Sequence, residues 1–202
     1  MSSRQQPSEG MDFLHADFDQ KQLFLKRILA DLVKTGFLMV FCESQYCTEN
    51  IRFIVAVSKY RSMFSNDGFK WERWADVDAT PADQRKAKPI CEDRLREIQK
   101  DIRFINQSFL EPSAKLEICL PSAIASQTLR RMDEYKTYGP EVFKEATIDP
   151  KDTLIKDILP RYVVSSVYQD MLYYVTRMLR LPVRDSLKVP PPHITFEELV
   201  GI

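Results

Sequence analysis

Glycine is scarce here, five residues in a chain of 202. A phosphate cradle or a dinucleotide fingerprint needs clustered glycines so that backbone N–H groups can approach an anion, and neither pattern occurs. There are two histidines, His15 and His193, each near an end of the chain. A Ser-His or Cys-His pair would therefore need a terminus folded across the body. The four cysteines, Cys42, Cys47, Cys91 and Cys119, form no CxxC pair, and with so little histidine no metal-ligand grouping emerges. They read as reduced thiols, two or three of them buried. Charge of one sign is missing too: Lys plus Arg and Asp plus Glu both number 29, so no basic field argues for nucleic acid. The longest apolar runs, such as Phe37 to Cys42, fall far short of the ~20 residues of a membrane span, and the opening "MSSRQQPSEG" has no apolar signal core. These absences describe an intracellular protein without a cofactor, a metal or a catalytic centre of its own.

What is present is the balance of a folded domain, with 44% hydrophobic and 29% charged residues. The length suits one domain with appended arms. Residues 1–18 read as a flexible arm, 19–181 as the domain and 182–202 as a tail whose three consecutive prolines impose extended backbone. No run alternates with period two. Helical spacing recurs instead. Leu23, Leu25, Ile28, Leu29, Leu32 and Val33 make a broad stripe, suited to a core or a membrane surface, which Gly36 interrupts before a short segment from Phe37 to Ser44. Phe53, Val57, Tyr60 and Phe64 share a helical face, with Thr48 as its expected N-cap and Glu49 in the first turn. The stretch 65–89 breaks the pattern and reads as an insertion carrying Trp71 and Trp74, a pair suited to packing or to a partner. Leu95, Ile98, Ile102, Ile105 and Phe109 mark a helix from Cys91 to Leu110. Pro121 suits the start of another helix and Gly139-Pro140 its end, while Pro150 and Pro160 mark boundaries or a kink in the helical stretch between residues 141 and 180. The expected fold is all-α.

One junction is richer than a turn requires. Gln45 to Asn50 is a polar knot between two helices, where cap chemistry alone would use one or two such side chains. Further on, Asp157 and Arg161 lie four apart and face each other if the helix runs through Pro160. Spacing alone leaves them open to being an ordinary solvated pair.

At these residues the chain resembles the regulator of G-protein signalling (RGS) homology domain family. That family carries a phrase like F-L-x-S-E-x-S-x-E-N-I-x-F-W, and "FCESQYCTENIRFI" matches it at Phe41, Ser44, Tyr46, Glu49, Asn50, Ile51 and Phe53. A second block, F-x-x-A followed ten residues later by D-x-Y-x-R-F and then S-x-x-Y, is met without a gap by Phe143, Ala146, Asp157, Arg161, Tyr162, Ser165 and Tyr168. Between them "SFLEPSAKLEICL" supplies Phe109, Leu110, Glu117, Ile118 and Leu120.

The resemblance implies a bundle of about nine helices in two lobes, a terminal subdomain and a four-helix bundle. It also implies a partner, the GTP-bound or transition-state α subunit of a heterotrimeric G protein, whose switch regions would meet loops at one end of the bundle. By position, Tyr46, Cys47, Glu49 and Asn50 would bind from the first loop, Cys119 from the second, and Thr153, Asp157 and Arg161 from the third. Such a domain speeds GTP hydrolysis without donating a catalytic group, acting as a cytoplasmic monomer recruited to the inner face of the plasma membrane by its partner. Departures are visible as well. Cys119 stands where the family most often has Asn, Cys47 where Ser is common, Gln45 for Glu, Ile54 for Trp and Thr153 for Leu. The same fold kept as a scaffold, binding a partner without accelerating hydrolysis, is the alternative.

Overall fold

Asp31, rather than Gly36, divides the first apolar stretch. Its side chain accepts from the backbone N–H groups of Val33 and Lys34 at 3.0 and 3.2 Å, supplying the oxygen that the first turn of a helix lacks. Helix α1 therefore runs Phe18–Leu29 and α2 runs Leu32–Ser44, with Gly36 buried inside α2. A glycine costs a helix only about 1 kcal/mol, too little to break one that is capped and packed. The Thr35 hydroxyl donates to the Ile28 carbonyl at 3.1 Å and ties the two helices together. Leu23 and Leu32, expected in the stripe, stay 48% and 39% exposed.

The computed structural model describes residues 13–64, 92–133 and 139–180. The insertion at 65–89 with both tryptophans, the tail from residue 182, Cys91 and His193 lie outside the described residues. Every element within them is helical. Helix α3 covers Thr48–Ser62 and buries Ile51, Phe53, Ile54, Val55, Ala56, Val57, Ser58 and Tyr60. From Phe53 to Ser58 every residue is buried, so the middle of this helix lies in the centre of the fold, with its charged residues towards the two ends. Helix α4, Glu92–Ile105, lays Ile98, Ile102 and Ile105 on the core and then widens into a π-turn, Asn106–Leu110, that also buries Phe109. Pro121 sits just ahead of α5, Ser122–Asp133, and its carbonyl accepts from Ile124 and Ala125.

Residues 148–162 then form one helical rod: α6, Ile148–Thr153, a second π-turn, Leu154–Ile158, and α7, Leu159–Tyr162. Pro160 does not end the helix. In the wide turn before it Leu159 N–H reaches back to the Leu154 carbonyl, so the ladder changes step where proline has no N–H to give. Helix α8, Ser166–Arg180, closes the described chain, making eight α-helices among the described residues against about nine expected.

Two lobes are defined by what packs on what. Helices α1 and α8 both lie on α2, whereas α3 packs against α4 and α6, and α5 against the 3₁₀ turn Glu145–Thr147. Each lobe has its own aromatic chain. Phe53 meets Phe109 and Phe143 at 5.6 and 6.4 Å, and Tyr60 meets Phe143 at 5.2 Å. In the terminal lobe Phe13, Phe24, Tyr168, Tyr162 and Phe41 adjoin one another in turn at 4.8 to 6.5 Å. Phe13 is buried, so packed structure begins ahead of the boundary expected at residue 19.

Candidate functional site

The polar knot is a helix terminus of a definite kind. Helix α2 closes with Gln45 as its C-cap, Tyr46 follows at φ 55°, and Cys47 comes next. Tyr46 N–H donates to Glu43 O at 3.2 Å and Cys47 N–H to Cys42 O at 3.0 Å, the paired bonds of a Schellman motif. The motif satisfies the last carbonyls of α2 and reverses the chain in two residues. Its left-handed position is held by tyrosine instead of glycine, and the ring stands 96% exposed. Across the turn Glu43 and Arg52 form an ion pair at 3.3 Å, strapping α2 to α3.

This geometry moves the expected cap. Cys47, not Thr48, is the N-cap of α3, and its side chain caps nothing. With its N–H committed to Cys42 O, Cys47 is the pivot, and Thr48 is already the first helical residue. Its sulfur turns back instead, donating to the Cys42 carbonyl at 3.6 Å. The neighbouring Cys42 thiol, before any other cause, holds the Cys47 thiol below its ordinary pKa, while burial acts the other way. Cys42 is pushed well up, first by the same thiol contact and then by burial. Glu49 lies in the first turn of α3 as expected and accepts from Asn50 Nδ2 at 3.2 Å.

Arg161 joins this terminus to the rod. Its Nη2 donates to Asp157 Oδ2 at 2.8 Å, its Nε to the Asp157 carbonyl at 3.2 Å and its Nη1 to Gln45 Oε1 at 3.1 Å. The helix does run through Pro160, so the i,i+4 pair forms, but the third bond makes it more than a pair. Gln45 in turn donates to Ser44 Oγ at 3.3 Å, and Ser44 to the Phe41 carbonyl at 2.7 Å. The pair itself stays open to solvent, Arg161 at 46% and Asp157 at 61% exposure, so what the third bond adds is direction to a planar guanidinium rather than burial.

Among the proposed contact residues, Cys47, Glu49, Asp157 and Arg161 form one electrostatic group, with Asn50 bonded to Glu49 and Tyr46 at the tip. Cys119 is exposed on the loop after the first π-turn, a loop held by Leu116 N–H on Ser108 O and Ile118 N–H on Phe109 O. Thr153 is exposed, and its hydroxyl donates to the Asp149 carbonyl of its own helix at 2.9 Å. Among the described residues no hydrogen bond joins Cys119 or Thr153 to the group around Arg161. Gln45 is the residue that sequence reasoning missed as a participant. Its partner lies 116 positions away, and no local spacing signals that.

Among the described residues no group of three His, Cys, Asp or Glu side chains is placed to hold a metal ion, and no helix is long and apolar enough to cross a membrane. What the site offers is a set of hydrogen-bonding side chains on an all-helical frame. The family model described as "Regulator of G protein signaling domain" matches residues 25–171, and the chain belongs to that family. It is similar to regulator of G-protein signaling 7 of Rattus norvegicus, 26% identical over 155 residues that cover 77% of this chain and 26% of that protein. The chain thus spans about a quarter of that relative's length. Regulation of G-protein signalling is therefore the function at family level.

Proposed function

We propose that this chain is a GTPase-activating protein for a heterotrimeric G-protein α subunit. The observation that carries the reading is the three-point clamp on Arg161, which joins the first loop to the third where a scaffold kept only for packing had no use for it. In this reading Asp157 keeps Oδ1 for a backbone N–H of the first switch segment, Arg161 holds the carboxylate still, and Glu49, Asn50, Cys47 and Tyr46 meet the switches from the neighbouring loop. Cys119 and Thr153 complete the face.

No group of this chain takes part in the chemistry. The α subunit supplies an arginine in cis and a glutamine that orients the attacking water. A partner that binds best when the switches adopt their transition-state arrangement accelerates hydrolysis by that difference in affinity. Loop rigidity is what makes the difference large. The protein acts in the cytoplasm as a monomer, drawn to the inner face of the plasma membrane by the α subunit.

The test is single-turnover GTP hydrolysis by a panel of α subunits with and without the chain. Acceleration is expected, and Asn50→Ala is expected to reduce it at least tenfold with the melting temperature unchanged. A folded Asn50→Ala protein with full activity would remove the proposed site. The exposed Cys119 favours a second reading, a scaffold that binds without accelerating, because a thiol is a poor substitute for an amide in orienting a glutamine. Binding that does not prefer the aluminium-fluoride state over the GTP state would select the scaffold.

A further inference from the structure

The Schellman turn between α2 and α3 puts two cysteines at the positions that touch in such a motif. Cys42 is the third residue from the helix end and Cys47 the second beyond the cap, the pair whose side chains pack on each other across the reversal. Hydrophobic residues usually fill these places. Here two thiols do, and the Cys47 sulfur folds back to donate to the Cys42 carbonyl at 3.6 Å. The backbones are equally close. A Cys47 N–H bonded to Cys42 O at 3.0 Å limits the separation of the two Cα atoms to ~7 Å once the fixed carbonyl geometry is counted, at the reach of a disulfide. Cys47 is half-buried, open enough for a small oxidant, and Cys42 behind it is sealed from solvent.

We propose that Cys42 and Cys47 form a dithiol site which peroxides close reversibly to an intramolecular disulfide. The Cys47 thiolate takes an oxygen from hydrogen peroxide, the O–O bond breaks, and the departing hydroxide picks up a proton to become water, leaving a sulfenic acid. The Cys42 sulfur then attacks the Cys47 sulfur and the S–O bond breaks. The hydroxide that leaves takes the Cys42 proton as the second water. Two thiols are oxidised and one peroxide is reduced. Roles are set by position, since the outer sulfur meets the oxidant and the buried one resolves it.

The reduced protein is treated with hydrogen peroxide, remaining thiols are alkylated, and the protein is digested without reductant. Trypsin cuts after Lys34 and Arg52, leaving both cysteines in one peptide, which is expected to lose the mass of two hydrogens. Cleavage after Glu43 separates the cysteines in sequence, so the two fragments are expected to stay joined until dithiothreitol is added. Cys119→Ser leaves the result unchanged and Cys47→Ala abolishes it. Sulfinic acid on Cys47 with Cys42 still alkylated, or full alkylation of both at peroxide levels that consume Cys119, overturns the proposal. No α subunit enters the experiment, so this inference and the activator reading stand or fall separately.

Discussion

At the scale of the residue, Cys47 is where the physical environment departs most from what sequence alone describes. Opposed influences act on its thiol: the Cys42 thiol and the Arg161 charge favour the thiolate, while burial and the Glu49 and Asp157 charges oppose it. The neighbouring Cys42 thiol is the largest influence, and the net effect is a lowered pKa. A lowered value means more thiolate at any pH below the ordinary thiol range. Alkylation of Cys47 by iodoacetamide is therefore expected to rise with a midpoint below that of a free cysteine, and Cys42→Ala is expected to move the midpoint upward. A midpoint that stays in place under Cys42→Ala would show that the thiol contact is not the cause. Cys119 poses the opposite question, of a missing hydrogen bond. Cys119→Asn is expected to raise the rate of α-subunit GTP hydrolysis about fivefold, the equivalent of ~1 kcal/mol for one well-placed bond. Unchanged or lower activity in single-turnover assays would mean that the surface has adapted around the thiol.

Elements decide how those residues are presented. The break expected at Gly36 fails, and of the boundary or kink expected at Pro160 no boundary forms, for related reasons. Gly36 lies within a helix already capped by Asp31, and Pro160 comes after a π-turn in which the hydrogen-bond step has changed. Both sites show that a residue unfavourable to a helix does not end it when neighbouring backbone groups are otherwise satisfied. Tyr46 tests the turn itself. Its backbone is left-handed, which costs an L-residue roughly 1 kcal/mol or more relative to glycine, and its ring has almost no protein around it. Tyr46→Gly is therefore expected to raise stability in urea unfolding by up to about 1 kcal/mol, less what glycine gives back in chain entropy, while lowering α-subunit activation through loss of an exposed aromatic. A loss of stability would mean that the ring packs on the turn in solution.

For the molecule as a whole, the clamp at the site rests on the terminal lobe. Tyr162 is next to Arg161 in sequence and is fully buried between Phe41 of α2 and Tyr168 of α8, so the rod carrying Asp157 and Arg161 is anchored against the helix that carries Gln45. Burial pushes the Tyr162 phenol up, and its hydroxyl finds no hydrogen-bond partner among the described residues. Tyr162→Phe removes the stranded hydroxyl and keeps the ring, and is expected to raise stability by about 1 kcal/mol with the melting temperature as readout. A drop would reveal a bond to the hydroxyl. By itself the sequence determined the helical class, the core faces of α3 and α4 and the acidic start of α3, because helical periodicity and first-turn chemistry act over a few residues. Ordered motifs also pointed to the family before any coordinate did. Only the tertiary structure decided that Gln45 grips Arg161, that Cys47 rather than Thr48 begins α3 and that Cys42 meets Cys47. Each depends on how two helices are held at a junction, and contacts across 116 positions or around a left-handed residue leave no periodic trace in the chain.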